Sequence, residues 1–325
     1  MAPCLFCLRD YERANLTNEH IFLASLGGDL VLERAVCSLC NNGFSRDFEQ
    51  VIATHFADFR YLLLIPDRYG KIPERRVKVE IGGEQLDAKL LSDGMVQLKP
   101  IVKQIRKDGI TEIVFQHATE RQINELRNKA KKEGSELVEE QVPGQQAEVN
   151  ISGDLRFIDS PELLRAVTKM AYTALALRMG ENFARGGIFD TARNYIRTGT
   201  GNPMARLFLH EEYMQSCQQG PHQHSVILAG RNNRQSVDAI VRLFGGLSYL
   251  VNFSDSYRGA DFFNTLAYDA QRGQENKVLF ANEQAELLQI EEVSSSNTTV
   301  WNDRVASGSW FLRFLAAAMK AELHD

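Results

Sequence analysis

Apolar side chains recur at three- and four-residue intervals through Phe44, Phe48, Val51, Ile52 and Phe56, with His55 on the same stripe. That period predicts a helix, and Asn41 or Asn42 is placed to cap it. Upstream, residues 16–22 and the apolar runs 30–32 and 34–36 predict a strand and its return, with Gly27-Gly28 as the turn between them. Residues 75–81 and 85–91 alternate around Gly82-Gly83, a hairpin pattern. Residues 95–98 and 110–115 read as further strands, and 119–132 as a helix with Ile123, Leu126 and Ala130 inward.

The second half of the chain changes period. Ser160-Pro161-Glu162 combines a capping hydroxyl, a proline in the first turn and an acid at the positive helix end. The following helix carries Leu163, Leu164, Val167, Met170, Ala174 and Leu177 on a broad apolar face. Gly186-Gly187 interrupts it and 189–197 resumes the pattern. Residues 225–230, 236–244 and 247–253 read as strand, helix and strand, a small α/β unit, and 310–323 as a terminal helix. There is no internal repeat. The expected class is α+β: a small N-terminal module over 1–60, a β-rich basic region with one helix over 61–150, and a mostly helical α/β region over 151–325.

Composition narrows the function classes. With 44% apolar and 24% charged residues over 325 positions, the chain reads as soluble and globular. The richest apolar run, 163–179, is broken by Arg165 and Lys169, so no membrane partner is expected. Met1-Ala2-Pro3-Cys4 shows no signal-peptide pattern. The net charge of -5 offers no global attraction to a polyanion, so any nucleic-acid contact must be a local patch. Residues 68–132 hold 15 Lys/Arg against 9 Asp/Glu, whereas 133–148 carry five acids and no base and read as a linker around Pro143-Gly144.

The chemistry concentrates between Cys4 and Glu49. Cys4-Leu5-Phe6-Cys7 and Cys37-Ser38-Leu39-Cys40 are two C-x-x-C turns separated by 29 residues, the ligand count of a tetrahedral structural zinc. Four of the five cysteines are used this way and Cys217 stands alone, which fits a reducing cytoplasm better than a disulfide framework. Inside the loop so closed lie Glu19 and His20, and Asn41 follows the second turn directly. Neighbours on a strand point opposite ways, so Glu19 can face a cation while His20 faces water. A carboxylate and an amide can share a hard cation, leaving the imidazole free as a base.

Glu19-His20, Gly27-Gly28 and Cys37-x-x-Cys40-Asn41, in that order, resemble an HNH endonuclease, the ββα-metal nuclease fold, in the variety whose hairpin is tied to its helix by a four-cysteine zinc. The resemblance covers about the first 55 residues. It implies His20 as general base, Glu19 and Asn41 as ligands of a catalytic Mg²⁺ or Mn²⁺, and nucleic acid, DNA first, as substrate. The family's middle Asn would fall at Leu32, and its last His at Ser45, which could hold the ion instead. Glu49, two turns past Asn41, could orient a ligand. A role in restriction or phage defence is consistent with that activity, and a partner protein or a second copy could regulate it. The competing expectation is a zinc-stabilised module that binds nucleic acid or protein without cutting. Arg75, Arg76 and Lys78 and the lysines at 129, 131 and 132 are candidate phosphate contacts that read equally as solvated faces; Arg193 and Arg197 are a further candidate pair that reads first as an exposed helix edge. His222 and His224 share one side of a strand, with no third ligand nearby to make them a metal pair.

Overall fold

Two short strands, β1 (Ala2–Pro3) and β2 (Asp10–Tyr11), flank the first C-x-x-C turn and pair antiparallel. The computed structural model describes residues 1–67, 70–72, 74–81, 84–91, 96–99, 101–107, 110–116, 120–133, 148–149, 155–207 and 220–275. Cys217, the terminal helix at 310–323 and all but the two end residues of the linker expected at 133–148 lie outside them. Both helices and sheets are present, and the α+β class holds.

The N-terminal hairpin pairs β3 (Leu16–His20) with β4 (Val31–Cys37), Leu16 opposite Cys37 and His20 opposite Val31, with a bulge between Thr17 and Glu19. The chain then enters α1 (Ser38–Phe44), a π turn over Ser45–Glu49, α2 (Gln50–His55) and α3 (Ala57–Leu62). The apolar stripe read from the sequence faces inward: Phe44, Phe48, Ile52 and Phe56 are buried. The N-cap is Cys37, so Asn41 and Asn42 lie within α1 instead of capping it. The reason is geometric: β4 ends at Cys37, and the helix must begin at once to bring Cys40 round on the next turn.

The chain divides into two compact units, 1–71 with 153–325, and 72–152. In the second unit β5 (Arg75–Ile81), β6 (Glu84–Leu90) and β7 (Val96–Leu98) form an antiparallel sheet, and β10 (Glu148–Val149) adds outside β5. A separate hairpin pairs β8 (Ile101–Lys107) with β9 (Ile110–Gln116), and α4 (Glu120–Glu133) follows.

The remainder of the first unit is built round α5 (Pro161–Met179). Ser160 caps it, its hydroxyl accepting from the Leu163 amide at 3.2 Å. Every residue from Leu163 to Ala176 is buried, so this helix is a core element on all sides. After α6 (Glu181–Ala184) and α7 (Asp190–Thr198) comes a six-stranded antiparallel sheet. Its strands are β11 (Ala205–Leu207), β12 (Gln223–Arg231), β13 (Ser236–Leu243), β14 (Leu247–Ser254), β15 (Phe262–Asp269) and β16 (Gln274–Glu275), ordered β11-β14-β13-β12-β15-β16.

The helix expected over 236–244 is therefore strand β13, and the strand–helix–strand reading gives way to a meander. Val237, Ile240, Val241 and Phe244 satisfy a helical period, yet Val237, Ala239, Val241 and Leu243 satisfy a strand. All eight residues of β13 are buried, so no polar face breaks the tie. The β-branched residues decide it.

One apolar core joins the hairpin, α1 to α3, α5 and the six-stranded sheet. Among the described residues no helix is long and apolar enough to cross a membrane.

Candidate active site and metal centre

The first C-x-x-C turn is fixed by backbone bonds: the Cys4 amide donates to the Arg9 carbonyl at 2.9 Å, and the Leu5 amide to that of Ala35 on β4 at 2.8 Å. Leu8 closes it at φ 58, the left-handed region. The second turn is the start of α1, with Cys37 extended at the cap and Cys40 in the first turn. The four sulfurs lie within 4.8 Å of one another. Cys7 Sγ and Cys37 Sγ stand 3.8 Å apart. Sulfurs at the corners of a tetrahedron with metal–sulfur bonds of about 2.3 Å are separated by about 3.8 Å, so the cluster fits such a metal without rearrangement. A hydrogen bond from the Cys40 thiol pulls Cys4 down to about 4, and that shared proton drives Cys40 up. Burial pushes Cys7 up. A cation in the centre would bind the four as thiolates and displace their protons.

Glu19 and His20 part company at the end of β3. His20 is half-buried, whereas Glu19 is 2% exposed and turned into the interior. Its Oε1 forms an ion pair with the Lys169 ammonium of α5. Lys169 also donates to Glu49 Oε1 at 2.5 Å from the π turn, and its nitrogen lies 5.5 Å from the Phe44 ring centroid. Burial works against the ammonium, but the carboxylates of Glu19 and Glu49 overcome it and hold its pKa above the usual lysine value. One cation serves two carboxylates, and the more deeply buried acid bears the cost: burial raises Glu19 to about 7, against the pull of Lys169. Glu19 Oε2 has no hydrogen-bond partner among the described residues. A turn earlier on α5, Arg165 lies 4.9 Å from the Phe48 ring centroid and 3.4 Å from Asp47.

Asn41 is half-buried and its Nδ2 donates to Thr17 Oγ1 at 3.2 Å, which ties the amide to the strand that carries Glu19. Ser45 opens the π turn and is half-buried. Leu32, opposite Glu19 on β4, is buried and apolar. The donor set that a hard divalent ion would need is therefore only partly at hand. Glu19, its one carboxylate from the acid–His pair, already faces an ammonium, and in this arrangement the residues do not fit a divalent ion at that oxygen.

Lys169 and Arg165 are the residues that the sequence reading missed. The signal was there: two bases four apart inside an apolar run, which burial permits only if each is paired.

The candidate phosphate contacts separate. Arg193 is 3% exposed, and its guanidinium donates to the carbonyls of Ala184 at 2.8 Å and Gly186 at 3.2 Å, besides pairing with Asp190. It serves the fold, while Arg197 is exposed. In the second unit, Arg76 lies opposite Lys89 and Lys78 opposite Asp87, so these four share one face of the sheet. With Lys99 and Arg121 they line a groove of about 1080 Å³ that also holds Asp87 and Glu125, five cations to two acids. Arg75, one residue out of register with that face, is half-buried. Lys129, Lys131 and Lys132 are exposed near the end of α4. His222 and His224 are buried, and His224 is committed on both nitrogens, to the Leu26 carbonyl and the Phe244 amide.

Residues 4–57 match the family model of the HNH endonuclease. No curated protein and no solved structure matches the chain. The matched segment runs from the first cysteine to the start of α3, taking in the acid–His pair, the glycine turn and the π turn. Over residues 4–57 the chain is similar to the HNH endonuclease family, and it folds there as a hairpin and helix beside a four-cysteine cluster.

Proposed function

We propose that the chain hydrolyses nucleic-acid phosphodiester bonds, DNA before RNA, with His20 as the general base, and that its four cysteines hold zinc. The observation that carries this reading is the HNH family match over residues 4–57, a span that includes Glu19-His20 and the four clustered cysteines. His20, half-buried at the strand end, would take the proton from a water attacking phosphorus. A Mg²⁺ or Mn²⁺ ion, when bound, supplies stabilisation of the charge growing on the phosphate and the leaving oxygen. Asn41 and Ser45 are the donors available to it; Glu19 is paired with Lys169. The groove of Arg76, Lys78, Lys89, Lys99 and Arg121 would track phosphates, since three of its cations share one face of a sheet and the other two line the same groove. A nuclease carrying so large an appended region is suited to selective cutting, and we infer a role in restriction or phage defence.

The test is cleavage of supercoiled plasmid, single-stranded DNA and RNA with Mg²⁺ or Mn²⁺. Product from the wild type and none from His20→Ala at unchanged thermal stability supports the reading. Equal product from both removes His20 from it.

A second reading is favoured by the buried Glu19–Lys169 pair: a zinc-stabilised module that binds nucleic acid or protein and does not cut. Binding of DNA that weakens in Arg76→Glu and Lys78→Glu, with no cleavage under any divalent ion, selects it.

A further inference from the structure

Three charges converge in the interior of the first unit: Glu19 from the hairpin, Glu49 from the π turn and Lys169 from α5. A pair of this kind is usually read as a clasp between two packed elements. Two features set it apart from a clasp. One lysine is shared by two acids that both belong to the HNH module, and the Oε2 of Glu19, in a residue 2% exposed, is left without a hydrogen-bond partner among the described residues. A carboxylate selected only to bind a lysine would have both oxygens satisfied. This one has the disposition of a ligand with one oxygen in reserve.

We propose that Lys169 is the resident cation of the module, its ammonium held against Glu19 and Glu49 so that no divalent ion binds at Glu19 while α5 is docked. The identity of the seat rests on the nuclease reading, because it is the HNH resemblance that implies an ion at Glu19 once Lys169 is gone. Two positive charges cannot share one carboxylate in a dry interior without strong repulsion. The lysine has no solvent to swing into, since it is fully buried and every residue from Leu163 to Ala176 is buried with it, and α5 is itself anchored a turn earlier. Arg165 Nε donates to the Ile196 carbonyl and its Nη2 to that of Arg197, both at 2.7 Å. Opening the seat therefore requires α5 to move, and the fold couples the state of the module to the region that follows it.

The experiment titrates Mn²⁺ into zinc-loaded full-length protein and follows the free ion by electron paramagnetic resonance. Wild type and Glu19→Gln should give the same titration. Lys169→Ala should gain one Mn²⁺ site at least tenfold tighter than any in wild type, absent again in Lys169→Ala/Glu19→Gln, and Lys169→Arg, which keeps the charge, should stay closed. A wild-type site lost in Glu19→Gln overturns the proposal, as does a folded Lys169→Ala that gains none. Should Lys169→Ala fail to fold, the comparison of wild type with Glu19→Gln decides alone. Cleavage assays on the same samples keep the two readings apart: no product anywhere ends the nuclease assignment and leaves the ion titration standing.

Discussion

His224 Nε2 lies 2.9 Å from the carbonyl oxygen of Leu26, although 198 residues separate them. The Phe244 amide donates to His224 Nδ1 at 3.1 Å, so the proton sits on Nε2 and the ring is neutral. The bond pins the loop after the acid–His pair to strand β12. A second proton could enter only at Nδ1, where it would face the Phe244 N–H. Burial pulls His224 down to about 4, with the Leu26 carbonyl and Asp269 acting weakly against it. The unfolded chain, near the ordinary 6.5, therefore binds the proton that the folded one refuses. Stability is full above that value and falls as pH drops towards 4, by on the order of 3 kcal/mol over the window. Urea unfolding of wild type and His224→Gln between pH 7 and 4.5 checks this. The difference between the two should shrink as pH falls, and a constant difference would refute it.

The two halves of the Glu19–Lys169 pair should not be equivalent on mutation. Removing the ammonium in Lys169→Met strands the buried Glu19 carboxylate beside the half-buried Glu49 and is expected to cost about 3–5 kcal/mol. Glu19→Gln leaves Lys169 with Glu49 as partner. It also removes a carboxyl that folding already penalises, its pKa raised to about 7 by burial. Its cost should be about 1 kcal/mol or less at pH 7.5. Denaturant midpoints of the two variants give the ordering directly, and equal losses would mean that Glu19 is better satisfied than its lone Oε2 implies.

Most of what was legible in the sequence was local. The cysteine spacing, the Ser160 cap and the stripe from Phe44 to Phe56 are all set within a few residues, and each has a strong stereochemical signature. The alternation of 75–81 with 85–91 was equally plain, one residue off the observed second strand, because one face of that sheet is polar. What stayed hidden was long-range. Nothing near Glu19 in the chain announces Lys169, and the fully buried β13 carries no polar alternation to betray its period. The Gly245-Gly246 step after Phe244 was the one local hint of a hairpin there, with Phe244 at φ 51 and Gly245 at φ 65. Arg193 shows the same limit from the other side. An arginine beside an aromatic on an amphipathic helix reads as a phosphate contact until the carbonyls of Ala184 and Gly186 are seen beneath it.

Metal removal should act on the N-terminal module first. The hairpin contributes only two strands, and its join to α1 runs through the cysteine cluster. One zinc per chain is expected by elemental analysis. Chelation at pH 7 should lower the melting temperature by ten degrees or so, if about 2–4 kcal/mol of metal-linked stability is lost. Cys37→Ser should lose the zinc and become insensitive to the chelator. Retention of a full equivalent of zinc in that variant would show that the four sulfurs are not its ligands.

The two turn glycines face different constraints, which single substitutions can separate. Gly27 has φ +88, the left-handed region, where alanine costs about 1 kcal/mol or more. The nearest atom to a Cβ there is the Cγ2 methyl of the buried Ile65, a side-chain atom that must give way. Gly28 has no such dihedral, but a Cβ on it would overlap the carbonyl oxygen and carbon of Phe22. Those backbone atoms cannot give way, because the Phe22 ring is packed 5.3 Å from His224 and 5.9 Å from Tyr268, centroid to centroid. Tyr268 further fixes the turn, its hydroxyl donating to the Gly27 carbonyl at 3.2 Å and accepting from the Asp29 amide at 2.9 Å. Gly28→Ala should therefore cost more than Gly27→Ala, roughly 2–4 kcal/mol against 1–2. It should also displace the end of β3, so that any cleavage dependent on His20 falls with it. Calorimetry of the two variants tests the order, and a Gly28→Ala protein as stable as wild type would show that the Phe22 carbonyl is not where the fold holds this turn.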